Sequence, residues 1–361
     1  MPANHSKFIG IQGLRFIAAF MVVLTHTTFM IGERFYQIGE EGAWREGNAG
    51  VDIFFVISGF VMAISAAPLL NRPDGAREFV IRRLIRIVPL YWVATTLKLV
   101  AVFIIPALTL HSAFDPSHAM ASYLFLPWRN VEDEIKPLVG VGWTLTFEMF
   151  FYALFAISLY LRRDPLKFTL PILVVLALLS PLKDEAGGAW QFYLDPILLE
   201  FGMGLVAARI LRRGFSIDPR VGLIVVGLAF ACFFIPSSMF ASQRALGWGV
   251  PAFVIVLCTA GMEPYLSKVL HRSVAFWGDS SYALYLFHSF YVPMVGAILL
   301  KLGMADAWLA FLAAVVGSIV MGALVHQWIE KPLGAFLKTM RRPRPRARLA
   351  PARGDPARFG R

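Results

Sequence analysis

The stretch IQGLRFIAAFMVVLTHTTFM, residues 11–30, is an apolar run long enough to cross a membrane as one helix, yet it contains an arginine and a histidine. Arg15 and His26 are eleven positions apart, which at about 100° per residue turns both side chains to one face of the helix. Ionisable side chains are costly inside a membrane and mark functional sites by default. The stretch therefore predicts a membrane helix whose Arg15 and His26 face the protein interior.

The composition of the whole chain is that of a membrane protein. Of its 361 residues, 58% are hydrophobic and only 16% are charged, and the mean hydropathy is +0.65. Soluble domains carry about 25% charged residues. We therefore predict an all-α, polytopic membrane helix bundle. Runs of about 20 apolar residues predict ten spans: 11–31, 50–67, 87–106, 143–161, 168–182, 192–211, 221–237, 246–262, 281–300 and 307–328.

Lysine and arginine are distributed unevenly between the two sides of this predicted bundle. Of the 34 cationic residues, 26 fall in the terminal segments and in the loops that follow every second span, whereas seven fall in the other loops. Lys98 lies within the third span. Because positive residues accumulate on the cytoplasmic side, both termini are predicted to be cytoplasmic, with an even number of spans. The same bias explains most of the net charge of +11, so we expect the lipid bilayer, and not nucleic acid, as the partner.

The chain is predicted to divide into a membrane-embedded domain, residues 1–332, and a basic tail rich in proline and arginine, residues 333–361. The tail has little to bury, so we predict that it is disordered and lies against anionic lipid head groups. Its basic residues are not interleaved with aromatic residues or set in a glycine-rich run, as they are in nucleic-acid arms. Cys232 and Cys258 fall in different spans and indicate neither a disulfide framework nor a metal site.

Other polar residues interrupt the apolar spans, and each has a structural as well as a functional interpretation. Asp52 is in the first turn of the second span, where an acid stabilises the helix dipole. Ser58 and Gly59 follow it, and such small residues are typical of closely packed membrane helices. Glu148 in the fourth span must be protonated, paired with a cation or facing water. His288 in the ninth span is either a packing residue or part of a site.

An arginine cluster, Arg82, Arg83 and Arg86, opens the third span. At spacings of three and four residues these side chains are expected to form one basic patch on a helix. Such cations set membrane topology, but guanidinium groups also bind phosphate through two parallel hydrogen bonds. The cluster leaves both interpretations open, the second being a site for a cytoplasmic ligand that carries phosphate.

Six motifs follow one another in the order GLRFIAAFMVVLTH (13–26), GVDIFFVISGF (50–60), FVIRRLIRIVPLYW (79–92), WTLTFEMFFY (143–152), GDSSYALYLFH (278–288) and WIEKP (328–332). In order and spacing they resemble the acyltransferase family 3 membrane proteins, which include O-antigen, exopolysaccharide and Nod-factor O-acyltransferases. The resemblance covers residues 8–332. The chain departs from the commoner pattern at Met149, where many members have a second glutamate, and in the distance from His288 to Pro293. The EMFFY form resembles the exopolysaccharide branch.

The resemblance implies an O-acyltransferase of the bacterial inner membrane. It would move an acyl group, with acetyl expected, from cytoplasmic acyl-CoA to a hydroxyl of a cell-surface or exported glycan, without a metal. His26 would be the general base or an acyl relay, and Arg15, Glu148 and Glu330 the other catalytic residues. The residues expected to bind the CoA phosphates are Arg82, Arg83 and Arg86. The residues expected to support the site are Asp52, Ser58, Trp143, Tyr152, Tyr282 and His288.

Partners and alternatives follow from the same resemblance. Polysaccharide-biosynthesis proteins are possible partners, and no SGNH-type hydrolase domain is expected after the bundle, because the chain ends in the basic tail. A transporter or flippase of a glycan or small molecule would also be a ten-span bundle with intramembrane Arg, His and Glu, although no inverted repeat is visible. A structural subunit of an export complex would not need buried ionisable residues. Within the family, a small-molecule acceptor such as a macrolide remains an alternative to a glycan.

Overall fold

The computed structural model describes residues 8–39, 43–104, 115–184, 187–235 and 244–340, and every regular element in these ranges is helical. The predicted all-α bundle is therefore confirmed. The α-helices are α1 (Ile9–Arg34), α2 (Ala49–Ala66), α3 (Gly75–Ile104), α4 (Pro116–Tyr123), α5 (Trp143–Tyr160), α6 (Pro165–Leu178), α7 (Leu199–Arg212), α8 (Pro219–Cys232), α9 (Val250–Gly261), α10 (Glu263–Val269), α11 (Ser273–Lys301), α12 (Ala307–Val325) and α13 (Lys331–Met340). Two π-helical turns, Ala245–Gly249 and His326–Glu330, precede α9 and α13.

Six helical segments of the described chain are long and apolar enough to cross a membrane. A seventh is added if α9 and α10, which are bent by 69°, form one span together with the preceding π turn. Each of the ten predicted spans contains a helix, but α6, α7 and α8 have only 14 residues each. Such a helix is about 21 Å long, which is shorter than a hydrocarbon core of about 30 Å. The count of ten therefore stays a prediction.

Several helices begin at an Asp-Pro pair. Asp115, Asp164 and Asp218 each accept a hydrogen bond from a backbone N–H in the first turn of the helix that follows, and proline is the first helical residue in each case. The carboxylate satisfies a donor that the helix leaves unpaired, and proline lacks the N–H that would have no partner there. Asp306 caps α12 in the same way without a proline.

Close contacts between small residues hold the centre of the bundle together. α1 packs against α2 and α11, α2 against α7, and α11 against α12. A Cβ added at Gly59 of α2 would collide with the backbone of Phe201 and Gly204 in α7. This close approach confirms the packing interpretation of Gly59, because only a missing side chain lets the two backbones touch.

The helical end of the chain departs from the predicted tail. α13 continues to Met340, whereas the tail was predicted to begin at residue 333. Its apolar residues Leu333 and Leu337 are four positions apart, so they share one face, and both line a groove together with Leu84 and Val88 of α3. The residues 341–361 lie outside the described part of the chain.

Candidate active site

A first cavity, with about 770 Å³ of space that includes open solvent, lies between α1, α2, α3, α5 and α11, and we call it the arginine cavity. Its polar walls come from residues of five of the six sequence motifs. These polar residues are Arg15, Ser58, Arg83, Arg86, Thr144, Glu148, Tyr152, Tyr282 and Tyr285. The structure therefore brings together most of the residues that the sequence placed in a site.

Two arginines of α3 that line this cavity have unused donors. Arg83 donates from Nη2 to Ser65 Oγ at 2.8 Å and lies over the ring of Phe79. Its Nε atom and the Nη2 atom of Arg86 are buried and form no hydrogen bond with any described residue. Buried donors without a partner are costly. An anion such as phosphate would satisfy both of them.

Arg82 is the member of the predicted arginine cluster that the structure leaves outside the cavity. Its side chain is exposed, and Nε donates to Glu78 Oε1 at 2.6 Å. Arg83 and Arg86 are three positions apart on the helix, and both line the cavity. The expected patch of three arginines is therefore a patch of two in this structure.

Glu148 is held by hydroxyl groups inside the arginine cavity. It accepts hydrogen bonds from Ser58 Oγ at 2.9 Å and from the Tyr152 hydroxyl through the same carboxylate oxygen. Arg15 lines the same cavity, and the charges of Glu148 and Glu330 act on its guanidinium group. The next residue, Met149, is not an acid and does not line the cavity. Glu148 therefore has no second acid beside it in the sequence, as its motif indicated.

Tyr282 connects two helices at the same cavity, and Glu330 lies in the turn after α12. Glu330 Oε2 accepts a hydrogen bond from His326 Nδ1 at 2.7 Å, and neither residue lines the cavity. Both belong to the π turn that ends α12, a distortion that is frequent at functional sites. Tyr282 donates its hydroxyl to Ile87 O at 2.9 Å and so joins α11 to α3. His326 was not predicted as a site residue, because its position at the end of a span gave no reason to single it out.

A second cavity lies beyond the N-terminal end of α5 and contains His26, and we call it the histidine cavity. It is larger, with about 1720 Å³ of space that includes open solvent. Many of its polar walls come from the segment between α4 and α5. Its polar lining residues are His26, Glu33, Arg34, Lys98, His118, Asn130, Glu132, Glu134, Lys136, Trp143 and Ser289.

The hydrogen bond of His26 fixes its tautomer. Nδ1 lies 2.9 Å from Val22 O, and a carbonyl oxygen can only accept, so Nδ1 carries the hydrogen. Neutral His26 therefore has its lone pair on Nε2. His288 repeats this pattern, because its Nδ1 lies 3.2 Å from Leu284 O. The two rings meet edge to face with centroids 4.9 Å apart, so the structure joins His288 to His26.

A single layer of residues separates the two cavities. Tyr285 and Thr144 line the arginine cavity, whereas Val141 and Trp143 line the histidine cavity. The Tyr285 hydroxyl lies 3.0 Å from Val141 O and 3.0 Å from Thr144 Oγ1, and Thr144 Oγ1 lies 3.1 Å from Val141 O. Each of the two hydroxyl groups has one hydrogen to donate, so at most two of these three contacts are hydrogen bonds at any time. The contact between Tyr285 and Thr144 was not predicted from the sequence.

Asp52 lies outside both cavities, in a buried ionic cluster. Its fully buried carboxylate forms two parallel hydrogen bonds with Arg244, at 3.1 Å and 2.8 Å. The guanidinium group of Arg244 also lies over the ring of Trp248. Glu200 is fully buried beside this pair and interacts with both charges. Asp52 is therefore a first-turn acid and also half of an ion pair that joins residues 192 positions apart, which no local pattern predicts.

Comparison with known proteins agrees with the geometry. Residues 8–326 match the family described as the acyltransferase domain. The exopolysaccharide production protein ExoZ of Rhizobium meliloti is 33% identical over 298 residues, which cover 80% of this chain and 89% of that protein. The acyltransferase MdmB of Streptomyces mycarofaciens is 27% identical over 92% of this chain and 93% of its own length. The peptidoglycan O-acetyltransferase OatA of Listeria monocytogenes is 25% identical over 90% of this chain but only 55% of its own length. No solved structure matches the chain significantly.

Proposed function

The chain belongs to acyltransferase family 3 and is an O-acyltransferase, and from that premise we propose that it moves an acetyl group from cytoplasmic acetyl-CoA to a hydroxyl of an exported glycan. One observation carries this proposal. A cavity lined by arginines and a cavity with an imidazole lie back to back, and Tyr285 and Thr144 of the first contact Val141 of the second. The glycan acceptor is suggested by ExoZ, whose name refers to exopolysaccharide production.

The direction of the helices supports an orientation in the bacterial inner membrane. α1 leads from Arg15 in the arginine cavity to His26 in the histidine cavity, and α3 leads from Arg86 to Lys98 in the same direction. With both termini in the cytoplasm and ten spans, as the lysine and arginine bias predicts, the arginine cavity opens to the cytoplasm. Acyl-CoA is made there, so the donor enters on the side where the guanidinium groups lie.

The donor is bound in the arginine cavity. Arg83 and Arg86 hold the phosphates of CoA through the donors that are otherwise unused. Arg15, which lines the same cavity, guides the acyl end of the extended CoA arm toward Tyr285. Ser58 and Tyr152 fix the Glu148 carboxylate in turn. Arg82 is left out of this assignment because its side chain is paired with Glu78 at the surface.

The transfer takes place where the cavities meet. The Nε2 lone pair of His26 takes the proton of the acceptor hydroxyl, and the hydroxyl oxygen attacks the thioester carbonyl. The C–S bond then breaks, and the imidazolium returns the proton to the leaving sulfur, so no net proton is consumed. Tyr285 and Thr144 release Val141 O to open the passage and donate to the developing oxyanion. An acyl-His26 relay would use the same Nε2 atom as nucleophile.

Labelled acetyl-CoA tests the function in inside-out membrane vesicles, which expose the cytoplasmic face. We expect label to reach glycan in wild-type vesicles and to be lost with His26→Ala at equal expression. His271→Ala is the matched control, because His271 is exposed in the loop before α11. Glycan that crosses the membrane without receiving label would show a transporter. Label that enters glycan only from donor on the opposite side would overturn the orientation.

A further inference from the structure

Two cations of the histidine cavity have no role in the reaction described above. Lys98 lies within the apolar helix α3, and Arg34 is the last residue of α1, eight positions after His26. Both are partly buried, and both line the cavity that contains His26. An ionisable side chain within a membrane span is by default a functional residue.

The acids around this cavity have other partners or lie at its edge. Glu134 pairs with Lys136 at 2.9 Å, and Glu132 has an interaction of its own. Glu33 is exposed to solvent. Among the described residues neither Lys98 nor Arg34 takes part in an ion pair. The lining of the cavity that contains His26 therefore includes two positive side chains that form no ion pair with an acid of the described chain.

The simpler explanations of these cations do not fit their positions. Topogenic lysine and arginine accumulate on the cytoplasmic side, whereas the proposed orientation puts Lys98 and Arg34 on the opposite side. A lysine near a helix end can extend along its apolar neighbours toward the membrane surface. Lys98 lines a cavity instead, and partly desolvated cations of this kind need a counter-charge.

We propose that Lys98 and Arg34 bind an anionic group of the acceptor, either a carboxylate of an acidic sugar or a phosphate that links the glycan to a lipid. The inference rests on the proposed function and names its substrate class, an anionic glycan. His26 and Arg34 are eight residues apart, or about 12 Å along α1. The anionic group and the reacting hydroxyl therefore belong to different parts of an extended acceptor, with the anion holding it while a hydroxyl reaches His26 Nε2.

The test measures binding of two anionic probes, each with a neutral match, to the purified full-length protein in detergent. Trigalacturonate is compared with maltotriose, and farnesyl phosphate with farnesol. We expect one anion to bind at least about tenfold more tightly than its neutral match, as one charge-assisted contact permits, and the advantage to shrink as salt is raised. A trigalacturonate advantage identifies an acidic sugar, and a farnesyl phosphate advantage identifies a lipid-linked phosphate.

Variants assign the effect to the two residues. Lys98→Gln and Arg34→Gln should each remove the advantage, whereas Lys98→Arg should keep most of it and so show that the fold is intact. Lys301→Gln, which removes an exposed lysine outside the cavity at the end of α11, should keep it in full. The inference is overturned if neither anion has an advantage, or if Lys98→Gln and Arg34→Gln keep it.

The same measurement separates this inference from the reaction itself. His26→Ala should lose acetyl transfer but retain the anion advantage, because it leaves both cations in place. If the wild-type protein binds the anion through Lys98 and Arg34 yet transfers no label from acetyl-CoA, the proposed reaction fails while the anion site stands. If transfer occurs without any anion advantage, the reaction stands and the anion site fails.

Discussion

The arginine cavity and the histidine cavity lie on opposite sides of one layer of residues but are built differently. The walls of the arginine cavity come from helices, and its polar side chains hold one another, as Ser58 and Tyr152 hold Glu148. The histidine cavity has more than twice the space, and much of its wall is the irregular segment 124–142. Side chains that hold one another suit a single donor, as proposed here, whereas connecting segments tolerate change and often carry binding residues. The contrast indicates that donor binding and acceptor choice are separable.

Replacement of His26 should have the largest effect on catalysis, and it tests most directly whether the two cavities act separately. His26→Gln removes the Nε2 base and should lower kcat by about 10²–10⁴-fold, the usual contribution of general base catalysis. Acetyl-CoA binding should stay within about twofold, because His26 lies in the other cavity. Initial rates and equilibrium dialysis with labelled acetyl-CoA measure the two quantities. A matching loss of acetyl-CoA affinity would show that the cavities act as one site.

Tyr285→Phe should have the second largest effect, because it acts on the layer between the cavities. Loss of one oxyanion donor costs about 10²-fold in kcat, and the KM for acetyl-CoA should change little. Thr144→Val should act in the same direction, whereas Thr144→Ser keeps the hydroxyl and should retain most activity. Tyr123→Phe is the matched control, since its hydroxyl bonds Thr96 on an exposed surface. If Tyr285→Phe leaves kcat unchanged, the hydroxyl is no more than part of the wall.

Arg86→Gln tests donor binding in the arginine cavity and should have a smaller effect than the two replacements above. Removing a guanidinium that binds phosphate costs about 1.5–3 kcal/mol, which weakens acetyl-CoA binding about tenfold to a hundredfold. Arg82→Gln should have a smaller effect, because Arg82 is exposed and paired with Glu78. Dialysis with labelled acetyl-CoA distinguishes the two variants, with Arg163→Gln as an exposed control. Equal losses at Arg82 and Arg86 would favour the predicted patch of three arginines over the geometry.

What the sequence could predict depends on how far apart the interacting residues are. The shared face of Arg15 and His26 follows from helical spacing along α1, and the apolar runs indicate where the helices lie. The short length of α6 agrees with its short apolar run, whereas those of α7 and α8 were not foreseen, because an apolar run does not show where its helix ends. Contacts between distant residues left no local signal: the pair of His26 and His288 joins motifs at opposite ends of the chain. Similarity to a family predicted which motifs matter, and only the fold showed which residues meet.

The ionic cluster outside both cavities gives the smallest expected change in catalysis. Arg244→Gln leaves the buried carboxylate of Asp52 without its cation, which should cost about 3–5 kcal/mol of stability. Asp52→Asn together with Arg244→Gln should cost less than Arg244→Gln alone, because Asp52 is then no longer a buried charge that has lost its cation. Thermal unfolding in detergent measures both effects. The kcat per folded molecule should stay near the wild-type value, since Asp52 and Arg244 line neither cavity. A large fall in kcat without loss of stability would instead show that this cluster takes part in the reaction. Function would then not be confined to the two cavities.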